Sequence, residues 1–246
     1  MLRFLYLIYY CLIVAPLFLV ATIITALVTM IGCMLGGKKI FAFYPGMIWS
    51  KLACFLALCP VKVYGKEHLK KNESYIFVSN HQGAFDIFLI YGFLGVPIKW
   101  MMKIGLAKIP FVGTACHAAG FIFVDNSSAR AAHRSILEAE RRLKNGVSLV
   151  VFPEGARTYD GKTGRFRKGA FQIAKDLQLS IVPITLNGPY KVLPIGSVFV
   201  HPHRMEMIIH PPITVDRMEI PENGNLQPLA DQTKDIIVSA LWDEFK

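Results

Sequence analysis

Tyr75-Ile76-Phe77-Val78-Ser79-Asn80-His81-Gln82-Gly83-Ala84-Phe85-Asp86-Ile87-Phe88-Leu89-Ile90-Tyr91 decides the fold. Its first five residues form an apolar, β-prone run, and Asp86 to Tyr91 reads as the opening of a buried helix. The turn between them holds His81, five residues before Asp86. In one continuous helix that separation would rotate the two side chains about 140° apart. With His81 in the turn and Asp86 at the helix start, the two can pair. A neutral imidazole in such a place can take a proton from a hydroxyl, while a carboxylate fixes its tautomer and stabilises the imidazolium. Without further context, the same residues would be a surface histidine and an N-capping aspartate.

Outward from this segment, strands continue to alternate with helices. Val61–Tyr64, Ser74–Ser79, Ile98–Lys103, Phe121–Val124, Ser148–Phe152, Ile181–Leu186 and Met205–His210 read as strands. Helices are expected over Ser127–Lys144, with Gly146 as a stop, over Lys168–Gln178, and near Ile236–Glu244. Residues Ile220 to Pro228 read as a polar loop. The alternation predicts an α/β fold, a largely parallel mixed sheet flanked by helices.

The first 60 residues differ. Phe4 to Gly37 contains no charged side chain over 34 residues, which accounts for much of the mean hydropathy of +0.42 in a chain of 53% apolar content. Fully helical, that stretch would extend about 51 Å, against a hydrocarbon core of about 30 Å. It can span with tilt or bend near Pro16 into a re-entrant shape, and it is too long for a cleavable signal peptide. Ile40 to Cys59, interrupted by Pro45-Gly46 and Lys51, reads as interfacial or shallowly inserted rather than a clean span. The expected division is a helical membrane-anchoring region over 1–60 and a domain over 61–246.

The formal charge is +10, of which +4 lies in residues 1–60 on Arg3, Lys38, Lys39 and Lys51 with no acid. Such a balance suits anionic lipid or a phosphate-bearing substrate. No nucleic-acid-binding motif accompanies it, so nucleic acid is not an expected partner. Cys11, Cys33, Cys54, Cys59 and Cys116 match no zinc or redox spacing and read as apolar packing in a reducing compartment.

A second constellation, Phe152-Pro153-Glu154-Gly155-Ala156-Arg157-Thr158, follows another strand, where open α/β sheets gather ligand groups. From Gly155 to Lys168 the chain carries Arg157, Lys162, Arg165, Arg167 and Lys168 against Asp160 alone. Arg157 can grip a phosphate bidentately, with Glu154 orienting it or a substrate hydroxyl. Gly155 to Thr163 approaches a nucleotide-binding P-loop, but five residues separate the glycines where four are required, which excludes nucleotide hydrolysis. His201, His203 and His210 lack carboxylate or cysteine partners at a metal-binding spacing. His68 sits in a polar loop and His117 among alanines, so no metal site is expected.

Four ordered blocks between Val61 and Leu186 resemble the glycerolipid acyltransferase family, in particular its bacterial 1-acyl-glycerol-3-phosphate acyltransferases. They are Asn80 to Asp86 as the His-x4-Asp block, Gly120 to Asp125, Phe152 to Arg157, and Ile181 to Ile184. Lys103 with Ile109-Pro110-Phe111-Val112-Gly113 fits the family's spacer. Two positions depart from the pattern: Asn126, where arginine is frequent, and Ala156, where threonine is usual. The resemblance implies a glycerol-3-phosphate acyltransferase-like fold at a cytoplasmic membrane, with the site facing the cytoplasm. It further implies acyl transfer from an acyl-CoA or acyl carrier protein thioester to the free hydroxyl of a lysophospholipid, giving phosphatidate. His81 would be the general base and Asp86 its partner. Arg157 and Lys103 would hold the acceptor phosphate, and Glu154 and Gly155 would shape the site. No cofactor is implied. Another lysolipid acceptor, or a non-catalytic lipid-binding protein of the same fold, is the alternative.

Overall fold

The computed structural model describes residues 2–125, 147–214 and 224–246, together with Arg130, Arg134 and Leu137. Asn126 and most of the expected helix Ser127–Lys144 lie outside the described residues; Arg130, Arg134 and Leu137 within it are helical and exposed.

Seven strands among the described residues form one sheet: β1 (Val61–Tyr64), β2 (Tyr75–Ser79), β3 (Ile98–Lys103), β4 (Ile122–Val124), β5 (Ser148–Val151), β6 (Ser180–Asn187) and β7 (Met205–Ile209). Their order is β1-β7-β6-β2-β5-β3-β4. Every pairing is parallel except β6 with β7. The exception has a cause in the connection, since residues 188–204 contain a single helical turn and return the chain beside the strand it left rather than crossing over.

β2 sits at the centre, buried at all five positions, which is why its sequence reads as an unbroken apolar run. Alternate side chains serve opposite faces. Tyr75 and Phe77 join one core cluster with Val150, Val182 and Leu89, whereas Ile76 and Val78 join another with Leu149, Ile181, Phe171 and Ile237. The second face is covered by two helices, Gly169–Leu177 and Gln227–Ser239. The latter begins about nine residues before the helix expected near Ile236–Glu244. Pro228 occupies its first turn, and Leu229, Ala230, Thr233 and Ile237 line its buried face. Residues 227 and 228 therefore leave the polar loop, whose positions 220–223 lie outside the described residues.

At the other end, helices Leu2–Tyr9 and Ala15–Met34 are joined by a π-helical turn over Tyr10–Val14. Pro16 cannot donate to the i→i−4 ladder and crowds the preceding turn, and the wider π-turn accommodates both effects. The helix continues through Pro16. Phe4–Met34 is long and apolar enough to cross a membrane, with mean hydropathy 2.7. The helix Tyr44–Leu56 lies between it and the domain, with Trp49 Nε1 donating to Thr22 Oγ1 at 2.9 Å. Its Gly46, Ser50, Ala53 and Cys54 are buried, while Tyr44, Ile48 and Phe55 stay exposed. One core cluster holds Cys33, Phe43 and Cys54 together with Tyr91 and Leu94, so side chains on both sides of residue 60 pack together.

Candidate functional site

Parallel strands bring their C-terminal ends to one edge of the sheet. The turn after β2, the loop after β5 and the end of β3 therefore meet a common rim. The turn after β2 is fixed by its own side chains. The Asn80 amide donates to Leu186 O at 3.0 Å and accepts from Leu186 N–H at 2.9 Å, bridging to β6. Gly83 N–H donates to Asp86 Oδ2 at 2.9 Å. A Cβ on Gly83 would lie 2.6 Å from Pro189 O, so this close backbone approach requires glycine.

Asp86 is the second residue of helix Phe85–Phe93, where a carboxylate also faces the positive end of the helix dipole. Its Oδ2 lies 2.7 Å from His81 Nδ1. The aspartate side chain is wholly buried and the imidazole is 16% exposed. Burial pushes the Asp86 carboxyl up from its ordinary value, and the bonds to His81 and Gly83 oppose that shift. An imidazole that donates through Nδ1 to a carboxylate leaves Nε2 as the acceptor for a proton. His81 also stacks on Phe152 at 4.0 Å between centroids and 9° between planes, which fixes the ring from its face.

Glu154 links the two segments. Its Oε1 accepts His81 N–H at 2.8 Å and its Oε2 accepts Gly164 N–H at 2.8 Å. Both carboxylate oxygens thus accept backbone amides, one from each segment. Burial raises the Glu154 carboxyl, and these two bonds pull it back. Thr158 N–H donates to His81 O at 3.0 Å, and Gln82 Nε2 to Gly161 O at 3.2 Å. The basic loop is therefore laced to the histidine turn along its length.

That loop encloses a polar cleft of about 490 Å³, lined by Glu154, Arg157, Thr158, Tyr159, Lys162 and Arg165. Arg157 is half-buried there, while Lys162 and Arg165 are exposed. Gly155 has φ +78° and faces the Arg167 guanidinium, 3.0 Å from where its Cβ would be. Lys103 ends β3 on the same rim, exposed and separated from β2 by β5. The fold thus joins His81, Asp86, Glu154, Gly155 and Arg157 in one contiguous site and leaves Lys103 to its side.

An apolar cavity of about 90 Å³ lies between the long N-terminal helix and the domain, lined in part by Thr22, Ala26, Trp49, Tyr91 and Phe121. Aromatic rings connect it to the histidine: Phe152 stacks on Trp100 at 5.9 Å, and Trp100 meets Tyr91 edge-on at 6.0 Å. Sequence reasoning missed Asn80, Gln82 and Phe152. Two polar residues flanking His81 were a signal that this turn carries more than a surface histidine.

Among the described residues, no group of three His, Cys, Asp or Glu side chains stands together as metal ligands. His203 Nδ1 lies 2.8 Å from Arg204 O, and His210 Nε2 lies 2.8 Å from Thr185 Oγ1. The five cysteines are free thiols, with Cys33, Cys54 and Cys59 buried.

Known proteins agree with this architecture. A family described as Acyltransferase matches residues 60–187. The chain is 31% identical to a chloroplastic 1-acyl-sn-glycerol-3-phosphate acyltransferase of Arabidopsis thaliana, over 74% of this chain and 51% of that one. It is 32% identical to the 1-acyl-sn-glycerol-3-phosphate acyltransferase of Borreliella burgdorferi, over 72% of this chain and 70% of the relative. It spans about half the length of the chloroplast relatives it matches. The crystal structure of the 1-acyl-sn-glycerophosphate acyltransferase from Thermotoga maritima superposes with a TM-score of 0.72 and 26% identity, covering 92% of this chain and 97% of the other. The chain belongs to the acyltransferase family.

Proposed function

We propose that this protein transfers an acyl chain from a thioester to the free sn-2 hydroxyl of 1-acyl-sn-glycerol-3-phosphate, giving phosphatidate. The observation that carries the reading is the 2.7 Å contact between His81 Nδ1 and buried Asp86, beside a basic cleft. Relatives named for this reaction support the acceptor.

In the proposed step, His81 Nε2 removes the proton from the acceptor hydroxyl as its oxygen attacks the thioester carbonyl. The tetrahedral intermediate collapses, the C–S bond breaks, and the imidazolium returns its proton to the departing thiolate. Asp86 holds the tautomer and stabilises the transient imidazolium. No covalent acyl-enzyme forms. Arg157 receives the acceptor phosphate, assisted by Lys103 from the neighbouring strand end. The apolar cavity beside the N-terminal helix suits the end of an acyl chain. The donor is a coenzyme A or acyl carrier protein thioester. Both carriers are soluble and polar, so the site faces the cytoplasm while Phe4–Met34 holds the enzyme in the membrane.

The test is release of free thiol by the purified protein in detergent, with both donors and a panel of lysolipids. Lysophosphatidate should be the fastest acceptor, and His81→Ala should lose about 10³-fold or more in kcat without a lower melting temperature. Near-normal turnover by that variant would remove His81 as the base. Faster use of another lysolipid would reassign the acceptor and keep the chemistry.

A further inference from the structure

The basic loop is also held from beneath by segments distant in sequence. Helix Gln227–Ser239 ends at the edge of the sheet, where Asn187 Oδ1 accepts Trp242 N–H at 2.9 Å. This contact directs the following turn, Asp243–Phe245, toward the loop. The Phe245 ring is 4% exposed and meets Tyr190 edge-on at 5.6 Å. A Cβ on Gly161 would stand 2.5 Å from that ring, so the loop backbone rests directly on it. Gly161 has φ +86°, a conformation in which glycine costs least. Tyr190 also donates its hydroxyl to Tyr159 O at 2.8 Å, and Lys191 pairs with Glu244 at 2.7 Å.

These contacts converge on Tyr159 and Gly161, two and four residues beyond Arg157. On the opposite side, Gln82 holds the Gly161 carbonyl and His81 O holds Thr158 N–H. The loop is thus gripped between the histidine turn and an aromatic platform. Among the described residues, no hydrogen bond or ring contact joins Tyr190 or Phe245 to the cleft's cations or to His81, so a substrate would meet their effect through the loop.

We infer that Phe245 and Tyr190 are positioning residues: they brace the loop from Thr158 to Lys162 so that Arg157 is held at the distance from His81 that an acceptor phosphate requires. The inference rests on the proposed role of Arg157 as that phosphate's ligand. A cation on a free loop would have to be ordered at every binding event, whereas a braced loop is already ordered.

The experiment compares Phe245→Ala, Phe245→Leu and Tyr190→Phe with the full-length wild type in detergent. Thiol release gives kcat and the KM of each substrate, and limited trypsin digestion reports the loop directly through cleavage after Arg157, Lys162 or Arg165. Phe245→Ala should raise the KM for lysophosphatidate about tenfold, while kcat and the donor KM change less than about twofold. Cleavage in the loop should accelerate. Phe245→Leu should restore most of both effects, and Tyr190→Phe should show a smaller version of them. Unchanged acceptor KM and cleavage in Phe245→Ala overturn the inference. So does an equal loss in kcat and both KM values that follows a falling melting temperature, since that marks general destabilisation. If Phe245→Ala does not fold, Phe245→Leu and Tyr190→Phe decide by the same readings. Should the wild type ignore lysophosphatidate, the functional reading fails, while the trypsin comparison still decides whether the brace exists.

Discussion

The turn after β2 and the loop after β5 leave adjacent parallel strands at the same rim, yet they are built in opposite ways. The turn buries its polar groups, with Asn80, Gln82 and Asp86 at 0%, 1% and 0% exposure. The loop keeps Lys162, Arg165, Arg167 and Lys168 in solvent and fixes its course through backbone bonds to Glu154, His81 and Gln82. Burial explains the difference. A single buried carboxylate is tolerable when an imidazole and a backbone amide both reach one of its oxygens, as they do Asp86 Oδ2, whereas burying a run of cations would cost several kcal/mol each without matching anions. Groups that move a proton must be held to a few tenths of an ångström. Groups that attract a charged ligand gain by remaining hydrated until it arrives.

The comparison breaks first at Asp86. Asp86→Asn preserves size but offers an amide N–H toward His81 Nδ1, favouring the tautomer with the proton on Nε2. A drop in kcat on the order of 10³- to 10⁴-fold is expected with KM values little changed, measured by thiol release. A loss below tenfold would mean that the buried contact is structural and that the turn is no more specialised than the loop.

Arg157→Ala probes the other side. Loss of one charge-assisted contact should raise the acceptor KM about ten- to a hundredfold and leave kcat within a few-fold. Arg157→Lys should recover only part, because an ammonium lacks the planar fork. An equal fall in kcat would erase the division between a turn that reacts and a loop that recognises.

The same contrast governs what could be read from the sequence. The His81–Asp86 pairing was legible because both partners lie within one strand–turn–helix unit, where local geometry alone decides whether they meet. The strands were legible for a related reason: β2 is buried on both faces, so its five apolar residues admit little else. Asn80, Phe152, Tyr190 and Phe245 were not legible in their roles, since each acts through a partner more than thirty residues away. The bonds of Glu154 were not legible, because the amides it binds, on His81 and Gly164, converge only after β2 and β5 pair. The late helix was misplaced at its start although Leu226-Gln227-Pro228 carries an N-terminal signal; the buried face at Leu229, Ala230, Thr233 and Ile237 shows which periodicity prevailed.

The mildest test lies at the antiparallel pair β6 and β7, where another histidine meets a hydroxyl instead of a carboxylate. The Thr185 hydroxyl donates to Ile237 O at 2.8 Å, so His210 must donate through Nε2 to Thr185 Oγ1, also at 2.8 Å. Among the described residues, no acid pairs with it. Burial, followed by the neighbouring His68, holds His210 below its ordinary value of 6.5. The unfolded chain then binds a proton that the folded chain resists. This contribution to stability is intact above pH 6.5 and is lost as pH falls from there through the lower folded value. Melting curves in detergent should show wild type losing about 3 °C more than His210→Gln between pH 7.5 and 5.5, since glutamine keeps a donor near the Nε2 position and cannot titrate. Equal slopes would show that His210 tolerates its charge. Burial of a histidine without a carboxylate partner would then not predict its protonation in this fold.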